Sequence, residues 1–380
     1  MNGQATDDGT GGEVEQRRRL LAHFTAAGFH RAEPAILQPA PVFLDLAGED
    51  IRGRIFLTSD PDGGEFCLRP EFTIPVCRDY LASPEAGQPA GFSYLGPVFR
   101  HRQGAPAETV QVGVESFGRA DREAADAEIL TLALEACGED AARLETRVGD
   151  AGLFNAVLDA LDLGPAWPRR IRRGHMRGQG LAEILATPVN GAAEDHSGVL
   201  RALQGADRAG ARALVENLLS IAGISTVGGR SAGEIADRFL EQAAMAADSG
   251  VPAEKQAVLE KFLAISGDPD AASARLRALA RDAKIDLAAA LDGFDARLGF
   301  IAARGLDVSG LAFSASFGRN LDYYTGFVFE AYDRGAPGGR PIIGGGRYDR
   351  LMRTLGASTD IPAVGAAIFC DRLFAMGGAK

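Results

Sequence analysis

The sequence predicts an α+β fold, a mostly antiparallel sheet flanked by helices and interrupted by a helical insertion. Three observations lead there. RIFLTS (54–59) and TVQVGVESFG (109–118) alternate with the period of a strand. Apolar residues recur at helical spacing in 13–27 and 121–136. From Ala166 to Asp282 the chain turns alanine-rich, with helical patterns separated by glycine-bearing turns. At 380 residues and 46% hydrophobic content, the chain exceeds one ordinary domain and has ample material for a core. The expected organisation is a disordered start over 1–12, a first core part over 13–165, the insertion over 166–282 and a second core part over 283–380.

In chain order, Val14, Leu20, Leu21 and Phe24 define the first helix, which Gly28 stops. Pro34, Pro39 and Pro41 break the following stretch into extended pieces. RIFLTS, the turn PDGG and EFCLRPEFT read as a hairpin. In TVQVGVESFG, alternation puts Val110, Val112 and Val114 on a packing face and Gln111, Gly113 and Glu115 on a face left for a ligand. Asp121 caps a helix with Ile129, Leu130, Ala133 and Leu134 as its apolar stripe, and Gly138 stops it. A short strand, LETRV, and the helix GLFNAVLDALDLG lead to the insertion, and LAAALDGFDARLGFIAARG returns the chain to the core. Phe317 to Glu330 reads as extended, with Arg319, Leu321 and Tyr323 on one face and Asn320, Asp322 and Tyr324 on the other. A strand polar on both faces suits a wet cavity or a solvated edge.

A net charge of −11 disfavours nucleic acid overall, since that affinity rests on neutralising phosphates with lysine and arginine. The one basic run, PRRIRRGHMRG (168–178), has no assigned role, and such runs are more often solvated faces. Cys67, Cys77, Cys137 and Cys370 form no CxxC pair and lack histidines at zinc spacing, so neither a disulfide framework nor a metal is expected. His175 and His196 are expected at the surface. No apolar run reaches the ~20 residues needed to span a bilayer, and the first residues carry no leader signature. A cytoplasmic protein is expected.

Five motifs carry a resemblance. RNLDYYTG (319–326) resembles the arginine-glycine-leucine-aspartate-tyrosine-tyrosine signature of histidyl-tRNA synthetases, with Asn320 replacing the glycine. LRPEFT (68–73) is similar to that family's leucine-arginine-proline-glutamate run, FSYLGPVFRHR (92–102) to motif 2 of class II synthetases, and IPAVGAAIFCDRLF (361–374) to motif 3. PIIGGGRYDRLM (341–352) resembles the family's triple-glycine run. The resemblance implies a class II aminoacyl-tRNA synthetase-like core and a homodimer built on the first helix and the proline-bearing strand. It also implies a histidine site made of Glu71, Thr73, Arg100, Gln111, Glu115, Arg319, Tyr323 and Tyr324, in which Glu71 receives the ammonium and Glu115 the imidazole.

The departures are informative. Arg102 stands where the family's adenine-reading glutamate is expected, and the loop QGAPAET is short and lacks the family's arginines. Phe369 and Asp371 replace a glycine and a glutamate beside Arg372. Arg102, Arg347, Phe369 and Arg372 are therefore read as a vestigial nucleotide site. No room for an anticodon-binding domain is expected after Arg372. Retained histidine-facing residues beside eroded nucleotide-facing ones resemble the histidyl-tRNA synthetase-like regulatory subunits of ATP phosphoribosyltransferase. That resemblance implies no catalytic residues, no cofactor, histidine as an allosteric ligand, and a short-form catalytic subunit as partner, with tRNA not expected. A truncated amino-acid-adenylating enzyme and a stand-alone histidine-binding module stay open as alternatives.

Overall fold

The computed structural model describes residues 11–46, 52–164, 167–176, 178–186, 250–318 and 323–377, together with 210, 213, 214 and 217. It divides into two compact units, Met1–Ala156 with Phe262–Lys380, and Val157–Lys261. The expected disorder of residues 1–10 lies outside the described residues; Gly11 and Gly12 already open a helix.

The first unit begins with α1 (Gly11–Ala26), which buries Leu20, Leu21 and Phe24. Gly28, at φ 94°, then turns the chain where a side chain would be strained. Next come β1 (His30–Arg31), β2 (Leu37–Pro39), α2 (Ala40–Leu46), β3 (Leu57–Ser59), β4 (Glu65–Leu68) and α3 (Thr73–Ala82). The expected hairpin is present, with Thr58 paired to Phe66. Its second strand stops at Leu68 because Pro70 cannot donate to the ladder, and Thr73 opens α3 instead. After β5 (Ala90–Phe99) and β6 (Glu108–Phe117) come α4 (Arg122–Ala136), β7 (Leu144–Asp150) and α5 (Ala151–Ala160), which runs into the second unit.

In the second unit, the basic run folds into α6 (Trp167–Met176), packed on α7 (Leu181–Ala186). Gly174 permits the approach, since a Cβ there would lie 2.4 Å from Ile184 Cγ1. Trp167 and Ile171 are buried, the Arg170 guanidinium lies 5.2 Å from the Trp167 ring, and Arg172 pairs with Asp159 at 2.5 Å. Arg169 and Arg173 remain exposed. His175 is half-buried rather than at the surface, and His196 lies outside the described residues, as does most of 187–249.

The chain re-enters the first unit near the end of α8 (Ala253–Leu263) and continues through β8 (Ser266–Gly267), α9 (Pro269–Ala283), α10 (Ala288–Ala303), β9 (Leu311–Ser314) and β10 (Phe327–Asp333). β11 (Ile343–Arg347), α11 (Asp349–Thr354), β12 (Ala363–Phe369) and α12 (Cys370–Gly377) complete it. Phe262 to Asp282, expected in the insertion, thus belong with the sheet. β8 pairs with β9 there, and Ala315 donates its amide to the Ile265 carbonyl at 2.9 Å. The extended stretch expected from Phe317 is also shorter, because the strand begins only at Phe327.

Nine strands form the main sheet in the order β1-β5-β6-β12-β11-β10-β7-β9-β8. All neighbours are antiparallel except β1 with β5 and β7 with β9. β2, β4 and β3 make a separate small sheet. Register assigns the faces of the main sheet. Val112 pairs with Ile368 and Val114 with Ala366 on one face. α4 covers that face, and Arg347 of β11 reaches it to bond Asp126 of α4 at 2.9 Å.

On the opposite face Gln111, Gly113 and Glu115 of β6 lie beside Phe369, Ala367 and Gly365 of β12. Gly344 and Gly346 of β11 continue that row, followed by Glu330 and Val328 of β10. On the other side stand Gly96 and Tyr94 of β5. Glycines at 96, 113, 344, 346 and 365 leave this face short of side chains, and a hollow forms above it.

Candidate functional site

That hollow is a cavity of about 440 Å³, within the range of small-molecule sites. Of the residues expected to hold histidine, it brings together Glu71, Thr73, Arg100, Gln111, Tyr323 and Tyr324 at its lining. Arg102, Phe369 and Arg372 line it too. Arg319 lies outside the described residues.

Glu71 is held by the start of α3. Its carboxylate accepts the amides of Thr73 at 2.6 Å and Ile74 at 2.9 Å, capping a helix whose own N-cap, Phe72, offers no side-chain acceptor. Burial pushes the Glu71 carboxyl up, while the Ile74 amide and the nearby Arg100 guanidinium pull it back. Arg100 is oriented by donation from its Nε to the Pro70 carbonyl at 2.7 Å. Thr73 Oγ1 donates to Glu115 at 2.8 Å, so one residue touches both carboxylates.

Glu115 is only 1% exposed and lies against Gly365, where an added Cβ would come within 1.7 Å of its Oε2. Besides Thr73, it accepts the hydroxyls of Tyr94 at 3.4 Å and of Tyr348. Burial raises its pKa to about 8, opposed by the Tyr348 and Thr73 hydroxyls. The same burial, with Glu115 beside them, drives the Tyr94 and Tyr348 phenols well above their ordinary value, so both stay donors. Glu115 is thus not at the lining of the cavity but behind it, under the hydroxyls of Thr73 and Tyr94, which do line it.

Gln111 is 2% exposed, and its Oε1 has no hydrogen-bond partner among the described residues. Tyr323 and Tyr324 stand close together, ring centroids 5.0 Å apart, and both approach Tyr348 edge-on. They reach one cavity because the chain here is a loop; strict alternation would have sent them to opposite faces. Gly346 makes room for the Tyr324 ring, which a Cβ there would meet at 2.9 Å.

Arg347 is not at the cavity. On the alternating strand β11 it falls on the face away from Gly344 and Gly346, buried among Asp126, Asp349 and the Arg122 carbonyl. Arg297 completes this network by pairing with Asp126 at 2.9 Å and Asp150 at 2.7 Å. The triple glycine therefore serves the cavity through its missing side chains, while the arginine after it braces β11 to α4.

Arg54, Tyr94, Glu330 and Arg340 line the cavity without having been expected there. Tyr94 was legible in principle, since period two places it with Gly96 on the face opposite Ser93 and Leu95. Arg54 lies in a turn before β3 although RIFLTS alternates, and Arg340 precedes β11 in a segment without periodicity, so no local signal marks either as lining the cavity. Among the described residues, no group of three or more His, Cys, Asp or Glu is placed to hold a metal ion, and no helix is long and apolar enough to cross a membrane. The four cysteines are free and buried.

Residues 12–222 and 209–373 match the family model described as histidyl-tRNA synthetase. A Brucella canis protein named ATP phosphoribosyltransferase regulatory subunit is 43% identical over 368 residues, covering 95% of this chain and 96% of its own. Among solved structures, an ATP phosphoribosyltransferase regulatory subunit/histidyl-tRNA synthetase from Bacillus halodurans C superposes with a TM-score of 0.63 at 21% identity, covering 98% of this chain and 82% of that one. A histidine--tRNA ligase subunit from Alicyclobacillus acidocaldarius gives a TM-score of 0.56 at 25% identity over 100% of this chain and 99% of its own.

Proposed function

The chain belongs to the histidyl-tRNA synthetase-like family of ATP phosphoribosyltransferase regulatory subunits, and from that premise we propose that its cavity binds histidine and reports it to a separate catalytic subunit. The regulatory role in histidine biosynthesis follows from the family. The ligand, the residues that hold it and the division of labour with a partner are the proposal.

Gln111 carries it. A buried acceptor without a partner costs about 1–3 kcal/mol, which a ligand N–H in the cavity would recover. Histidine offers an ammonium and an imidazole N–H. Glu71 and Gln111 supply acceptors for them, Arg100 is the nearest cation for its carboxylate, and Tyr323 and Tyr324 wall the ring. Glu115 lies beneath the imidazole, with the hydroxyls of Thr73 and Tyr94 between them. No cofactor enters this reading, and the condensation of ATP with phosphoribosyl pyrophosphate is assigned to the short-form partner.

A homodimer is part of the same proposal. Ile36, Leu37 and Leu57 are 43%, 48% and 60% exposed, and the last two flank β4 in the small sheet that contains the proline-bearing strand. Sedimentation of the purified chain tests it.

Calorimetric titration of the isolated chain with L-histidine tests the ligand. Saturable binding that Gln111→Leu weakens is expected; no heat and no protection by histidine would end the reading. An amino-acid-adenylating enzyme is the second reading, favoured by Arg100 and Arg372 at one cavity. Histidine-dependent pyrophosphate exchange would establish it.

A further inference from the structure

The loop over residues 317–326, which carries Tyr323 and Tyr324 to the cavity, rests at both of its ends on one short junction, residues 149–152, where β7 gives way to α5. At the entry, a Cβ on Gly149 would run into the Phe317 carbonyl. At the exit, Ala151 donates its amide to the Gly326 carbonyl at 2.9 Å. Gly152 lies so close that a Cβ there would meet the Thr325 carbonyl oxygen at 3.6 Å and Gly326 Cα at 3.7 Å. The two glycines of the junction leave the room that this double seat needs.

The contact falls on amides that a helix cannot satisfy by itself, since the first N–H groups of α5 have no partner within it. Asp150 Oδ1 accepts those of Gly152 at 2.7 Å and Leu153 at 3.2 Å, while its Oδ2 takes the Arg297 guanidinium at 2.7 Å. The amide of Ala151 goes to the loop instead. On its other side the loop is pinned to β11: Thr325 donates to the Arg347 carbonyl at 2.8 Å, and a Cβ on Gly326 would touch Arg347 Cδ at 3.2 Å. α5 passes into the second unit at Val157. Before it does so, Phe154 stacks on Phe262 of α8, the helix by which the chain returns, with ring centroids 6.1 Å apart.

We infer that the first turn of α5 senses whether the cavity is loaded, and that the hydrogen bond from Ala151 to Gly326 is the link that carries this from the tyrosines to the helix. A ligand walled by Tyr323 and Tyr324 fixes Gly326, two residues further on, and with it the acceptor of the Ala151 amide. Without a ligand the loop is held by the protein alone, the bond breaks more often, and the turn opens with it. These closed and open turns are the two states that the ligand biases, and the bias is reciprocal. The factor by which histidine strengthens the turn is the factor by which the turn strengthens histidine binding. The inference rests on the histidine reading and adds to it the place where occupancy leaves the cavity: a helix that continues into the second unit.

Amide hydrogen exchange on the full chain, with and without saturating L-histidine, reads the link, and calorimetry on the same preparation reads binding. Histidine should slow exchange over residues 151–155 about tenfold, the scale of one hydrogen bond. α9, the control for general stabilisation, should change less than about twofold. Ala151→Pro removes the donor at the first position of a helix, where proline is accepted, so α5 is kept while the link is cut. In that variant the α5 response should vanish and histidine should bind about tenfold more weakly, the same factor seen twice. An α5 response that survives Ala151→Pro, or one that α9 shares in full, would overturn the inference. Should the variant fail to fold, the parent decides: histidine binding without slower exchange in α5 would overturn the link and leave the proposed function standing. Absence of histidine binding to the parent would overturn the proposed function and this inference with it.

Discussion

Replacing Glu115 by glutamine removes the one carboxylate that three hydroxyls surround. Its ordinary pKa is 4.5 and burial lifts it to about 8, so between those values the folded chain holds a proton that the unfolded chain has released. Stability then falls as pH rises across that window and levels off above about pH 8. Between about pH 5.5 and about pH 8.5 the parent should lose roughly 2–3 kcal/mol through Glu115 alone. Glutamine cannot titrate, so the variant should lack that part of the slope. At the acid end the variant should be the weaker protein by about 1 kcal/mol, because its amide has to rearrange the hydroxyls of Thr73, Tyr94 and Tyr348. Urea unfolding followed by circular dichroism gives the slopes, and amide exchange in β6 gives the local value. Parallel pH profiles for parent and variant would show that the hydroxyls keep Glu115 ionised, and the assignment of a buried proton would fail.

Gln111→Leu should leave stability within about 0.5 kcal/mol or raise it, since the lost acceptor has no partner among the described residues, while histidine affinity falls about tenfold; melting and calorimetry on one preparation check both. Gly365→Ala should cost about 3 kcal/mol by thermal unfolding, because its Cβ would press on Glu115 Oε2 at 1.7 Å and on the Val114 carbonyl at 2.7 Å. Asp126→Asn should cost about 3–5 kcal/mol in urea unfolding, leaving Arg297 and Arg347 buried without their shared counter-charge.

How far the chain could be read depended on whether a residue's role was local. Alternation in β6 separated Val112 from Gln111 correctly because a strand's period is enforced by its own backbone. The same rule misplaced Tyr323 and Tyr324, since nothing in the run reveals that the strand begins only at Phe327. Arg347 was expected at the ligand because it follows three glycines; its partners Asp126 and Arg122 are more than two hundred residues away, and a buried ion pair leaves no periodic trace. Glu71 was read as a ligand contact, yet its first duty is to the amides of α3, a role the motif conceals. Arg54 and Arg340 were invisible for the opposite reason: each sits in irregular backbone, and only the folded sheet brings them to one cavity.

The strand order has a consequence for how the chain is made. β6 and β7 are consecutive strands, separated only by α4 and a turn, yet β12, β11 and β10 stand between them in the sheet. A ribosome that has released β7 has produced the β1-β5-β6 fragment and a lone strand, β7, whose partners are encoded some two hundred residues later. Asp126 and Asp150 wait equally long for Arg297 and Arg347. The nascent chain therefore carries open edges and unneutralised carboxylates while the whole of Val157–Lys261 is being synthesised. Such a topology makes folding post-translational for the first unit, slow by its high contact order, and dependent on holding the early half soluble until its closing strands arrive.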